Sequence, residues 1–212
     1  MRHIRQFMAV LFLAIGGLLG CAHELPVVTE ANQAKLTDTK AMMRNLWAGH
    51  IFWIRNVVLD NAIGNPEARE IAEQEVVANA KQIASTLSPF YGERASEKLF
   101  TLLADHYAAL KEYADAAVVG NTPQQDAALA HLSSNADDIA VFLSGANPYL
   151  SKDGVRGLIA AHGAHHVAQI VQLQEHEYKS EAETWKVMRT HVDVIADTLT
   201  RALAQQFPAR FS

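Results

Sequence analysis

The chain has 212 residues, half of them hydrophobic, and 18 basic residues against 23 acidic ones give a formal charge of −5. That balance supplies no basic face, which excludes nucleic acid as a partner, while the length suffices for one domain with a core of its own. One cysteine, Cys21, excludes an internal disulfide framework, and ten histidines, eight of them from His50 onward, are many for this length.

The first element is a leader. Met1 to Arg5 carry two arginines, and Phe7 to Leu19 then run through apolar residues interrupted only by Gly16 and Gly17. A charged start followed by an apolar stretch of this length is a signal-peptide pattern, too short for a spanning helix of about 20 residues. Its end, Leu18-Leu19-Gly20-Cys21, resembles the lipobox of bacterial lipoproteins. The resemblance implies cleavage before Cys21, thioether lipidation of its sulfur and acylation (palmitate or a similar chain) of the new amino terminus. Several acyl chains, at about 0.8 kcal/mol per buried methylene, make a stable membrane anchor. Such a protein belongs to the cell envelope, and Ala22 after the cysteine favours the outer membrane, facing the periplasm, in a Gram-negative cell. Residues 1–20 are thus the signal peptide, 21–35 a lipidated tether and 36–212 a single domain. Without Arg2 and Arg5 the mature chain has 16 basic and 23 acidic residues, a formal charge of −7.

Beyond the tether every long segment has helical period and none alternates as a strand. Gly64-Asn65-Pro66 and Gly120-Asn121-Thr122-Pro123 each join a helix stop to a cap and a first-turn proline. Ser88 to Gly92 and Ser144 to Tyr149 are breaks of another kind, Ser180 and Glu183 form a capping-box pattern, and Phe207-Pro208 ends the last helix. The predicted helices are 36–63, 66–88, 93–119, 123–144, 151–176 and 181–206.

These helices repeat at a constant offset of 56. Leu46-Trp47-Ala48-Gly49-His50, Leu102-Leu103-Ala104-Asp105-His106 and Leu158-Ile159-Ala160-Ala161-His162 share one pattern. Asn79, Asn135 and His191 head a second, followed by Ile-Ala at 83, 139 and 195 and by leucine at 87, 143 and 199. The expected fold is therefore all-α, an up-and-down bundle of about six helices built from three repeated helical hairpins, with four helices enclosing a polar layer and two packed outside.

The repeated polar residues lie on the apolar stripe. Leu99, Leu103, His106, Leu110 and Tyr113 step by four and three, as do Leu132, Asn135, Ile139 and Phe142. Each polar residue lies about 14 positions, about 21 Å, from its turns, so an up-and-down bundle gathers them in one central layer. The third hairpin, with its cap at Ser180, is expected to have a longer connection. Buried imidazoles in one layer are suited to a transition metal, Zn, Cu, Fe or Ni, or to haem. The candidate ligands are His50, His106, His162, His191 and His166, with His165 nearby. Asn79, Asn135 and Asp138 are candidates to orient the rings, and Gln82 lies one turn from Asn79. The same layer can instead be a hydrogen-bonded ring that fixes helix register. No Glu-x-x-His, H-E-x-x-H, C-x-x-C-H or glycine-rich phosphate loop is present, and no nucleophile or carboxylate pair marks a catalytic residue. Trp47 and Trp53 flank His50, and Arg55 is expected to pair with Asp60 or Glu75 or to line a ligand entrance.

Leu46-Trp47, His50, Trp53 and Arg55, then Asn79 with Pro89-Phe90-Tyr91-Gly92, Leu102-Leu103 with His106, Asn135-Ala136-Asp137 with Asn147-Pro148, and Gln206-Phe207-Pro208 with Phe211 resemble the pattern of a family of small bacterial helical proteins. The resemblance covers nearly the whole mature chain and departs at Ala84, Tyr149 and Leu150. Glycosyltransferase labels occur in that family, yet nothing in this chain is built to bind a nucleotide sugar. What the resemblance implies is the repeat and the histidine positions, and no activity.

Overall fold

A computed structural model describes residues 30–211; Cys21 and the leader lie outside the described residues. The six long helices are α1 (Glu30–Ile63), α2 (Pro66–Ser85), α4 (Glu93–Val118), α5 (Thr122–Ala146), α6 (Lys152–Gln174) and α7 (Tyr178–Gln206). A one-turn helix, α3 (Ser88–Tyr91), takes the end of the span expected to belong to α2, and a 3₁₀ turn (Pro208–Arg210) follows α7. No strand occurs among the described residues. Helix α1 begins at Glu30, so the last six residues of the expected tether are helical.

The three hairpins are α1–α2, α4–α5 and α6–α7. Contacts close a ring in the order α1, α2, α4, α5, α6, α7 and back to α1, and α6 also touches α1 and α4 directly. Three helices therefore form the interior and α2, α5 and α7 bridge the clefts between them, in place of the expected four and two. The reason is the threefold repeat, which gives every hairpin one inner and one outer helix.

The turns repeat as well. The amides of Asn65, Asn121 and Glu177 donate to the carbonyls of Asp60, Ala116 and Gln172, at 2.9, 2.9 and 2.7 Å. Each turn thus closes in the Schellman manner, with the preceding residue left-handed: Gly64 at φ 69°, Gly120 at φ 67° and His176 at φ 59°. The third connection is therefore as short as the others. Ser180 does not cap α7, whose first residue is Tyr178; the turn carries no glycine signal, because His176 stands where the other turns have glycine. Asn65 and Asn121 do cap their helices, accepting from the amides of Ala68 and Gln124.

At the opposite end, Tyr91 donates to Gln206 at 2.6 Å and accepts from Asn147 at 3.0 Å. Phe90 stacks on Phe211 with ring centroids 5.8 Å apart. One residue from each hairpin is joined there, which seals the end from which α1 emerges.

Between the ends the apolar core falls into two clusters. One holds Trp47, Leu103, Ile139, Ile159 and Ile195; the other, nearer the three turns, holds Ile54, Val76, Leu110, Ala128 and Ile170. The polar layer separates them.

Candidate metal centre

Each hairpin locks its outer helix to its inner one by the same bond. Asn79 Nδ2 donates to the carbonyl of Leu46 at 3.0 Å, Asn135 Nδ2 to that of Leu102 at 3.0 Å, and His191 Nε2 to that of Leu158 at 2.9 Å. The accepting carbonyl lies one turn before the inner histidine each time. Close approach helps in the first hairpin: a Cβ on Gly49 would meet Asn79 Nδ2 at 3.1 Å.

The inner helices carry His50, His106, His162 and His166, all buried. Ring centroids lie 5.4 Å apart for His50 and His162, 6.1 Å for His50 and His166, and 4.6 Å for His162 and His166. With each ring offering one nitrogen, the ligand atoms of these three lie within 4.8 Å of one another, a grouping among the described residues that leaves out His106 and His191. His106 stacks on His162 at 6.0 Å, and half-buried His191 on His162 at 6.5 Å. His165 lies beside His191, with centroids 5.3 Å apart.

Burial holds these rings neutral. It lowers the His50 pKa to about 3, with a charge on His106 acting in the same direction. Those of His162 and His166 fall well below the ordinary value, first by burial and then through their neighbours' charges. His106 is also lowered by burial, against the opposing effect of its bond to Asn135. A neutral imidazole keeps one lone pair for a ligand and one N–H that needs an acceptor.

Many of these nitrogens have neither. Both ring nitrogens of His162 and of His166, Nδ1 of His50 and Nε2 of His106 are buried without a hydrogen-bond partner. Buried acceptors are equally unmatched in the same layer: Oδ1 of Asn79 and Oε1 of Gln169, the latter one turn from His166. Native interiors leave few such atoms unpaired, since each costs about 1–3 kcal/mol.

Asn135 differs from its counterparts. Its amide nitrogen donates to Leu102 and also to an Asp105 carboxylate oxygen at 2.8 Å, and its Oδ1 lies 2.8 Å from His106 Nδ1. The other Asp105 oxygen meets His131 Nε2 at 3.1 Å, near the surface. Asp138, expected to orient a histidine, is exposed instead, because it lies on the outward side of α5; Gln82 is exposed for the same reason on α2. No sequence pattern marks Asp105, whose repeat counterparts are Gly49 and Ala161.

One turn toward the three-turn end, Arg55 forms a two-pronged bond with Glu181 at 2.6 and 2.8 Å, and Gln169 donates to the same carboxylate at 2.9 Å. Glu181, only 3% exposed, is the partner, and neither Asp60 nor Glu75 is. The guanidinium lies 5.3 Å above the Trp185 ring. These bonds hold the Glu181 carboxyl below its usual range, the bond from Arg55 above all.

On the other side Trp47 meets His50 and His162 edge-on, at 5.7 and 5.8 Å. It also lines an apolar cavity of about 30 Å³ shared with Leu103, Ile139 and Ile195. Comparison with known proteins finds no matching family, curated relative or solved structure.

Proposed function

We propose that this protein is a lipid-anchored, extracytoplasmic metal-binding module that holds one transition-metal ion with His50, His162 and His166. The observation that carries the reading is the convergence of three buried, neutral imidazoles whose ligand atoms lie within 4.8 Å of one another. At Zn–N distances of about 2.1 Å, centroids of two rings on one tetrahedral ion are about 5 Å apart. The observed separations of 4.6 to 6.1 Å bracket that value. The remaining N–H groups would need acceptors, and two buried ones stand unmatched, Asn79 Oδ1 and Gln169 Oε1.

The donor set is all imidazole. It suits Zn, Cu, Fe or Ni and is wrong for Mg or Ca, which take oxygen ligands. An ion is favoured over haem because the adjoining cavity, about 30 Å³, is far below the roughly 300–1,000 Å³ of small-molecule pockets.

The register reading applies to a different part of the layer. The equivalent bonds of Asn79, Asn135 and His191 to inner-helix carbonyls align the three hairpins without involving His50, His162 or His166. The outer residues set the scaffold and the inner ones hold the ion.

The anchor is part of the proposal: the Leu18-Leu19-Gly20-Cys21 sequence supports it, and no described helix is long and apolar enough to cross a membrane. The test is the elemental content of full-length protein purified without an affinity tag. About one equivalent of a transition metal per chain, lost in His162→Ala, is expected; metal-free protein that takes up none of Zn, Cu, Fe or Ni overturns the reading.

A further inference from the structure

We propose that His106 supplies a fourth nitrogen, Nε2, to the ion held by His50, His162 and His166, and that Asp105 and Asn135 are the positioning residues that make it available. The inference rests on the metal-binding reading.

The Asn135 amide nitrogen points at two groups that only accept, the Leu102 carbonyl at 3.0 Å and the Asp105 carboxylate at 2.8 Å. Turning the amide over would put its oxygen against both of them, so its orientation is fixed. Oδ1 therefore faces His106 Nδ1 at 2.8 Å and accepts a hydrogen bond from it. The proton of this neutral ring is thus on Nδ1, and the lone pair is on Nε2. That nitrogen is buried and has no partner. A histidine whose far N–H is held by an oxygen while its other nitrogen is free is the usual arrangement of a metal ligand.

His106 lies outside the 4.8 Å grouping of the other three, so its ring must shift inward to join them. A charge on it would oppose charge on His50, on His162 and on His166. Its centroid lies 6.0 Å from that of His162, within the range spanned by the other rings. His191 is only half-buried, and its centroid lies 6.5 Å from that of His162, beyond that range.

Only the second hairpin has a carboxylate beside its asparagine. Glycine stands at the equivalent position 49 and alanine at 161. Asp105 is itself steadied by His131, whose two nitrogens lie 3.1 Å from Asp105 and 3.3 Å from Glu112. A chain of bonds thus runs from the surface to the buried ring. In the first hairpin the corresponding atoms, His50 Nδ1 and Asn79 Oδ1, are both unpartnered.

The test is Co(II) titration of the full-length protein in detergent, read by visible absorption, with ¹⁵N NMR of the imidazoles before metal is added. Wild type is expected to give the intense bands of four-coordinate Co(II), and His106→Ala shifted bands with binding weaker by about tenfold or more, as water takes the place of the ring. Asp105→Ala, a change near the surface that spares the fold, is expected to keep the intense bands and weaken binding about tenfold. Before metal, NMR is expected to show His106 protonated at Nδ1 in wild type and a mixture of tautomers in Asp105→Ala. Co(II) bound by His106→Ala with wild-type affinity and spectrum overturns the fourth ligand and leaves the three-histidine site standing. Unchanged affinity and tautomer in Asp105→Ala overturn the positioning role. Wild type that binds no Co(II) overturns both this inference and the metal reading.

Discussion

His191 donates from Nε2 to the main-chain oxygen of Leu158, 2.9 Å away and 33 residues back. Asparagine makes that bond at the same offset in the other two hairpins, so His191 acts here as a third asparagine. His191→Asn is therefore expected to keep both stability and metal content, whereas His191→Leu loses one hydrogen bond, about 1 kcal/mol, and no metal. Denaturant unfolding and elemental analysis of the two variants check this; metal lost from His191→Asn would make the ring a ligand after all.

The turn at His176 carries a cost that the other two avoid. A side chain at φ 59° crowds its own backbone, by about 1–2 kcal/mol in the left-handed region, and Gly64 and Gly120 are free of it. His176→Gly is expected to raise the melting temperature by about 2–4 °C, the shift that about 1 kcal/mol produces at this chain length. The exposed bond between His176 and Tyr178 is lost in the exchange. A lower melting temperature would mean that this contact outweighs the backbone.

Acid should unfold the protein through its buried histidines. The folded pKa of His50 is about 3, below the ordinary 6.5, so the unfolded chain binds the proton more tightly. Stability is complete above pH 6.5 and falls as pH drops from there toward 3, by about 1.4 kcal/mol per pH unit for each such ring. His106, His162 and His166 are lowered too and act with the same sign. Urea midpoints at pH 7.5 and 5.0 measure the effect, and equal midpoints would contradict it.

The fold was legible because the 56-residue identities mark both the hairpins and the height of the polar layer, and spacing by three and four puts His106 and Asn135 on buried faces. Within the layer the sequence is silent on which atom meets which. Arg55 finds Glu181 across 126 residues, beyond any local pattern. Asp138 shares a helix with Asn135 but faces outward, while Asp105, on a different helix, reaches the amide. Ser180 and Glu183 imitate a cap because a local motif carries no information about a turn already closed three residues earlier.

The anchor is tested separately from the site. Cys21→Ser is expected to move the protein from the membrane to the soluble fraction while far-ultraviolet circular dichroism keeps its helical signal. A variant that stays with the membrane would contradict lipidation at Cys21.

The most direct measurement of the metal claim is the melting temperature of chelator-stripped, untagged protein with and without added zinc. A ligand at about 100 times its dissociation constant stabilises the folded state by about 2.7 kcal/mol, which corresponds to about 5–10 °C for a domain of this size. The account predicts a rise of that order in wild type, reversed by EDTA and absent in His162→Ala. A wild-type melting temperature that neither zinc nor any of Cu, Fe and Ni changes would contradict it, and the buried histidines would then serve only the packing of the three hairpins.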